Sequence, residues 1–108
     1  MLEIENLKSG KKIQIADNDL DKKMDWYSAQ IVCSELGEGW RLPSLAELEI
    51  IFNELHQQGI GDFQPDCYWS SNPAGFDETA WYYWFKFKGL SYNVAKSKVF
   101  NIRLVREI

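Results

Sequence analysis

The sequence predicts one α+β domain. Two stretches of helical periodicity in its first half each begin at a capping residue, and a strictly alternating aromatic run dominates its second half. Glycine and proline separate these pieces where the chain must turn. At 108 residues the chain is long enough for one core and too short for two, so residues 1–108 are expected to form a single domain.

The first element is Lys11–Ala16, a short strand whose Ile13 and Ile15 face one way. A polar turn region, Asp17–Lys23, follows. Asp25 then reads as an N-cap, with Trp26, Ala29, Cys33 and Leu36 at helical spacing and Val32 beside them. Gly37 and Gly39 end this helix, because its last carbonyls are served by backbone in left-handed space.

Trp40–Pro43 is an extended connector, since Pro43 disfavours helical backbone at Leu42. Ser44 and Glu47 form a capping box that opens a second helix, whose apolar stripe is Leu45, Leu48, Ile51, Phe52 and Leu55. Gly59 and Gly61 close it. Cys67–Ser71 reads as a short strand and Asn72–Glu78 as a loop. Thr79–Lys88 is a long strand, with Trp81, Tyr83, Phe85 and Phe87 on one face and Tyr82, Trp84, Lys86 and Lys88 on the other. Gly89 turns the chain, Ser91–Lys98 returns, and Asn101–Glu107 is a last strand. Helices followed by antiparallel strands make an α+β plan.

Composition narrows function. Five Trp, five Tyr and six Phe make the chain 15% aromatic, and eight of these rings lie between Trp81 and Phe100. The net charge of −4 argues against nonspecific nucleic-acid binding and against an anionic membrane surface. Charge is uneven: residues 1–66 hold 6 basic and 13 acidic side chains, whereas residues 67–108 hold 6 basic and 3 acidic, which leaves the aromatic half mildly cationic. No run approaches the ~20 apolar residues of a membrane span. Cys33 and Cys67 are too few for a disulfide scaffold and form no CxxC, so both are expected reduced and unpaired, in a cytoplasmic protein.

Several residues join into a recognisable pattern. Met24-Asp25-Trp26-Tyr27, Ala29, Cys33 and Leu36 are followed by Gly39-Trp40-Arg41-Leu42-Pro43-Ser44 with Glu47-Leu48. Tyr68-Trp69-Ser70-Ser71, Ala80-Trp81, Phe85, Gly89, Lys96 and Ile102-Arg103-x-Val105-Arg106 complete it. Together these residues resemble the Lcl C-terminal-like domains of bacteria and phages, over roughly Met24 to Arg106. The resemblance implies a C-type lectin-like fold, with two helices against a twisted antiparallel sheet and the chain ends close together. It also implies kinship with variable proteins of diversity-generating retroelements, whose outward strand face carries variable residues. Many relatives place a cysteine where this chain has Leu104, opposite the first-helix cysteine, so Cys33 lacks that partner here.

No enzymatic constellation is present. Gln64-Pro65-Asp66 spells a calcium-ligating triplet of sugar-binding lectins, but it precedes the Tyr68–Ser71 strand, and no further oxygen cluster accompanies it. Neither a metal nor a cofactor is expected. His56 is a lone helical histidine, read as a surface residue. Glu47, Glu49 and Glu54 read as a solvated helix side, and Arg41 as a structural tie to an acidic side chain or a backbone carbonyl. Trp26, Trp40, Trp69 and Trp81 are expected in the core.

The aromatic-cationic face of the long strand is what these structural roles do not absorb. Tyr82, Trp84 and Lys86 are expected to point outward beside Tyr92, Asn93 and Lys98, forming a ligand-binding face for a protein or glycan. The competing expectation is a structural or oligomerisation module, with this face buried between copies.

Overall fold

The computed structural model describes residues 2–6, 8–75, 78–86 and 89–108. Its architecture is built on two three-stranded antiparallel sheets and two α-helices. The first sheet has β2 (Lys11–Ile15) at its centre, between β1 (Leu2–Asn6) and β6 (Val105–Glu107). Both terminal strands therefore lie against the same central strand. Ile13 and Ile15 are buried, as their alternation requires. β1 was not anticipated: in Leu2–Asn6 only Ile4 is buried, and its flanking glutamates hide the strand signal.

The helices begin where their caps predict. α1 (Trp26–Leu36) opens with Asp25 accepting from the Ser28 N–H at 3.3 Å and ends at Gly37, φ 65°. Ala29 and Cys33 are buried, but Leu36 is half-exposed rather than on the inward stripe. α2 (Leu45–Glu54) carries the full capping box. The Glu47 N–H donates to Ser44 Oγ at 3.1 Å, and the Ser44 N–H donates to Glu47 Oε1 at 2.8 Å. A short 3₁₀ turn, His56–Gln58, extends it to Gly59.

Arg41 and Glu47 clasp each other. The guanidinium donates to both carboxylate oxygens at 2.7 and 2.8 Å and to the Leu42 carbonyl at 3.2 Å. Glu47 is 3% exposed, so it is not part of a solvated helix side. Burial alone would raise its pKa. The Arg41 bonds and the Ser44 N–H outweigh burial and hold the carboxyl below its ordinary value.

The second sheet is β3 (Cys67–Pro73), β4 (Thr79–Trp84) and β5 (Leu90–Ala95), in that order. β4 stops at Trp84, earlier than the alternation suggests, and Phe87 and Lys88 lie outside the described residues. The last strand is likewise shorter than Asn101–Glu107. Residues 101–104 instead bridge between the sheets, through the parallel bridge of Asn101 to Tyr68.

Both faces of this sheet are covered for part of their length, because the domain has two apolar clusters. One joins Ile13, Ile15, Leu48, Ile51, Phe52, Phe63, Tyr68, Tyr83 and Phe85 under α2. The other joins Ala29, Cys33, Leu42, Trp69, Ala80, Ile102 and Leu104 under α1. Cys33 and Leu104 thus share a cluster, and both thiols are free of disulfides. Of the four tryptophans expected in the core, Trp69 is fully buried; Trp26, Trp40 and Trp81 are partly buried. Trp40 carries the Arg106 guanidinium 4.4 Å from its ring, and Trp26 carries Lys96 Nζ at 4.5 Å.

A buried polar network ties the loop before α1 to the sheet. Arg103, whose side chain is 0% exposed, donates from Nε to Asp19 Oδ1 at 2.7 Å. Its other nitrogens donate to the carbonyls of Ala16 and Asp62, at 3.1 and 3.3 Å. Tyr68 Oη donates to Asp19 Oδ2 at 2.6 Å and accepts from the Gln64 N–H at 2.8 Å. Among the described residues, every buried side-chain nitrogen and oxygen has a hydrogen-bond partner.

Candidate functional site

The register of β4 and β5 decides which side chains share a face. Ala80 pairs with Val94, Tyr82 with Tyr92, and Trp84 with Leu90. On the other side of β4, Trp69 pairs with Tyr82 and Cys67 with Trp84. Paired side chains project to the same side, so one face carries Trp69, Tyr82 and Tyr92 in one row and Cys67, Trp84 and Leu90 in the next.

This face grades from core to surface. Ala80 and Trp69 are fully buried beneath the second cluster. Phe100 lies 4.7 Å from Trp69 and 4.7 Å from Tyr82, ring centre to ring centre, closing that end. Tyr82 and Trp84 are partly buried, while Leu90 is 40% and Tyr92 47% exposed. The even face of β4 is therefore not outward along its whole length. Its first half is core, because Phe100 and residues 102–104 fold back over it.

The six predicted site residues separate accordingly. Tyr82, Trp84 and Tyr92 share the face, and the Tyr82 and Tyr92 rings are 6.1 Å apart. Asn93 pairs with Trp81 and projects to the opposite side, as a strand neighbour of Tyr92 must. Lys86 is exposed just beyond the end of β4, and exposed Lys98 lies in the turn after β5. Lys88 lies outside the described residues. Leu90 was missed, although counting back by two from Tyr92 would have placed it on the same face.

The site's margin holds ionisable groups in structural roles. Lys23 donates to Asp66 Oδ2 at 2.7 Å, and Asp66 Oδ1 accepts from the Cys67 N–H at 2.8 Å. The carboxylate of the Gln64-Pro65-Asp66 triplet is thus engaged within the protein. Burial, followed by the Asp66 charge, pushes the Cys67 thiol up to about 11. Burial likewise raises Cys33. Neither thiol is a ready nucleophile at neutral pH.

His56 is not a plain surface residue. Its ring lies 5.1 Å from Phe85, 5.6 Å from Phe52 and 6.4 Å from Phe63. With Gly59, Ile60, Asp62 and Phe63 it lines an open pocket of about 190 Å³, remote in sequence from the aromatic face. Among the described residues no group of three or more His, Cys, Asp or Glu side chains converges as a metal site would, and no helix is long and apolar enough to cross a membrane.

Comparison with characterised proteins finds no curated match to this chain. The family model of the Lcl C-terminal domain matches residues 8–106, nearly the whole length. That span takes in both helices, the Arg41–Glu47 clasp and all three strands of the aromatic sheet; the chain belongs to the Lcl C-terminal domain family.

Proposed function

We infer that this domain is a non-enzymatic recognition module with a C-type lectin-like fold, binding a protein or glycan through the surface end of the β4–β5 face. The observation that carries the reading is the exposure of Tyr92 and Leu90 beside half-buried Tyr82 and Trp84, on a ladder backed by a packed core. Rings held this way lose little conformational entropy on contact, and their amphipathic edges suit sugars and protein surfaces alike. Terminal strands flanking one central strand, two helices and a second antiparallel sheet support the fold assignment. Two thiols without disulfides favour a reducing compartment, so we place the domain in the cytoplasm. Neither a cofactor nor a nucleic-acid partner forms part of this reading.

Glycan and peptide arrays probed with the wild type, Tyr92→Ala and Trp84→Ala test it. The wild type should select a ligand that both variants lose, since aromatic anchors at an interface centre typically contribute at least ~2 kcal/mol. Tyr92→Ala should leave the thermal melt nearly unchanged, because exposed substitutions usually move stability by less than about 0.5 kcal/mol. A ligand whose binding survives both substitutions would place the site elsewhere.

A further inference from the structure

The outer edges of the two sheets differ in how they are closed. Along β3, the Asn101 N–H donates to the Cys67 carbonyl at 3.1 Å, the Trp69 N–H to the Asn101 carbonyl at 3.2 Å, and the Ser71 N–H to the Pro43 carbonyl at 2.8 Å. β6 is three residues long, and Val105 exchanges both of its backbone bonds with Arg41, at 2.9 and 3.0 Å. β1 presents exposed Glu3 and Glu5, so two copies meeting there would oppose carboxylates. β5 has no such protection. Leu90–Ala95 contains no charged residue and no proline, all but Val94 are exposed, and its six pairs with β4 run without a bulge.

The direction of its backbone groups follows from one bond. The Lys96 N–H donates to the Glu78 carbonyl at 2.7 Å, extending the β4–β5 register by one pair. In an antiparallel ladder, hydrogen-bonded pairs recur every second residue. Leu90, Tyr92 and Val94 therefore bond to β4, while Ser91, Asn93 and Ala95 aim their N–H and C=O groups away from the sheet. The Ala95 carbonyl already accepts from the Lys98 N–H at 3.1 Å. Among the described residues, no bond is made by the outward backbone groups of Ser91 and Asn93.

We propose that β5 is a self-pairing edge, on which a second copy of this chain docks its own β5 antiparallel, with Ser91 opposite Asn93 of the second copy and Tyr92 opposite Tyr92 at the two-fold axis. This register uses only the unbonded groups and makes four N–H···O bonds. Placing Asn93 opposite Asn93 would instead draw on the Ala95 carbonyl that Lys98 occupies. The seam is uncharged, so like edges meet without repulsion, and the exposed Leu90 and Tyr92 side chains gain cross-strand neighbours. The product is a closed dimer with one six-stranded sheet, because the β3 edges at its ends are already capped. In this register five residues of each strand, Leu90–Val94, pair across the seam and span only ~17 Å, so the contact is small and the dimer is concentration-dependent. The proposal is independent of what the aromatic face binds.

Sedimentation and light scattering over a wide concentration range test it. The mass should rise from one chain to two and stop there. Asn93→Pro removes the outward N–H and leaves the bonds to β4 intact, since a proline is tolerated where the N–H faces away from the ladder. Two symmetry-related bonds vanish, which should weaken dimerisation about tenfold or more. Should Asn93→Pro perturb folding, the double variant Ser91→Lys, Asn93→Lys keeps the backbone and brings like charges together at the seam; it should be monomeric with a normal melt. Amide exchange at Ser91 and Asn93 should slow with concentration in the wild type only. Trp84→Ala, on the neighbouring strand, should still dimerise, which separates this outcome from loss of ligand binding. A mass of one chain at every concentration, a dimer that survives both edge variants, growth beyond two chains, or selective capture of an extended synthetic peptide by a monomer would each overturn the proposal.

Discussion

Asp17, Asp19 and Asp21 stand in one polar loop with nothing in the sequence to rank them, yet replacing each by alanine should give different results. Asp17 and Asp21 are exposed. Asp19 is 15% exposed and faces Arg103, whose side chain has no solvent contact. Asp19→Ala would leave that guanidinium with only the carbonyls of Ala16 and Asp62, and would remove the acceptor of the Tyr68 hydroxyl. Burial and the Asp19 bond raise the Tyr68 phenol pKa, so it remains a donor that must find an acceptor.

Removing one partner of a buried ion pair costs about 3–5 kcal/mol, since the other charge remains uncompensated. A domain of this size has roughly 5–15 kcal/mol in all. At about 4 °C or more per kcal/mol, Asp19→Ala should lower the melting temperature by roughly 12–20 °C. Thermal and urea denaturation followed by circular dichroism measures this directly. Asp17→Ala and Asp21→Ala should each stay within about 0.5 kcal/mol of the wild type. An Asp19→Ala variant as stable as these two would refute the claim that the network anchors the loop.

Glu47 predicts a pH dependence with a definite sign. Its folded pKa lies below the ordinary 4.5, so its contribution is fully present above that value and is lost as pH falls towards the folded value. The stability difference between wild type and Glu47→Gln should therefore be widest near neutrality and shrink below about pH 4.5 in urea titrations. Gly89→Ala should destabilise by ~2–4 kcal/mol, from its left-handed backbone and overpacking together. A Cβ there would lie 2.5 Å from Tyr83 Oη and 2.8 Å from Phe52 Cδ2, at φ +64°. Phe85→Ala should cost ~3–5 kcal/mol by opening a cavity among Phe52, Phe63 and Tyr68, in the same denaturation assay. Mass spectrometry after alkylation without reductant should count two thiols once the protein is unfolded. In the native state Cys67 should react slowly at pH 8 and faster as pH nears about 11; an intramolecular disulfide would contradict both.

The sequence by itself determined the elements whose signals are local. Asp25, Gly37 and the Ser44–Glu47 box mark helix boundaries because caps act within a turn of their own residue. Ile13, Ile15 and the α2 stripe announce burial because period and face are set by backbone geometry. Only the tertiary structure decided the rest. Alternation in Thr79–Lys88 separates two faces but cannot say what lies over either, and residues 100–104, distant in sequence, turned half of the even face into core. Alternation alone puts Tyr92 and Asn93 on opposite sides of β5, and the register with β4 decides that Tyr92 is the one beside Tyr82. Glu47 is marked out by its capping box, and its burial against Arg41, six residues away, is what the sequence left open. Asp19 resembles its neighbours and is set apart by Arg103, 84 residues away in sequence. A buried charge is legible only once its partner is in place, because the long-range contact, not the residue, offsets the desolvation.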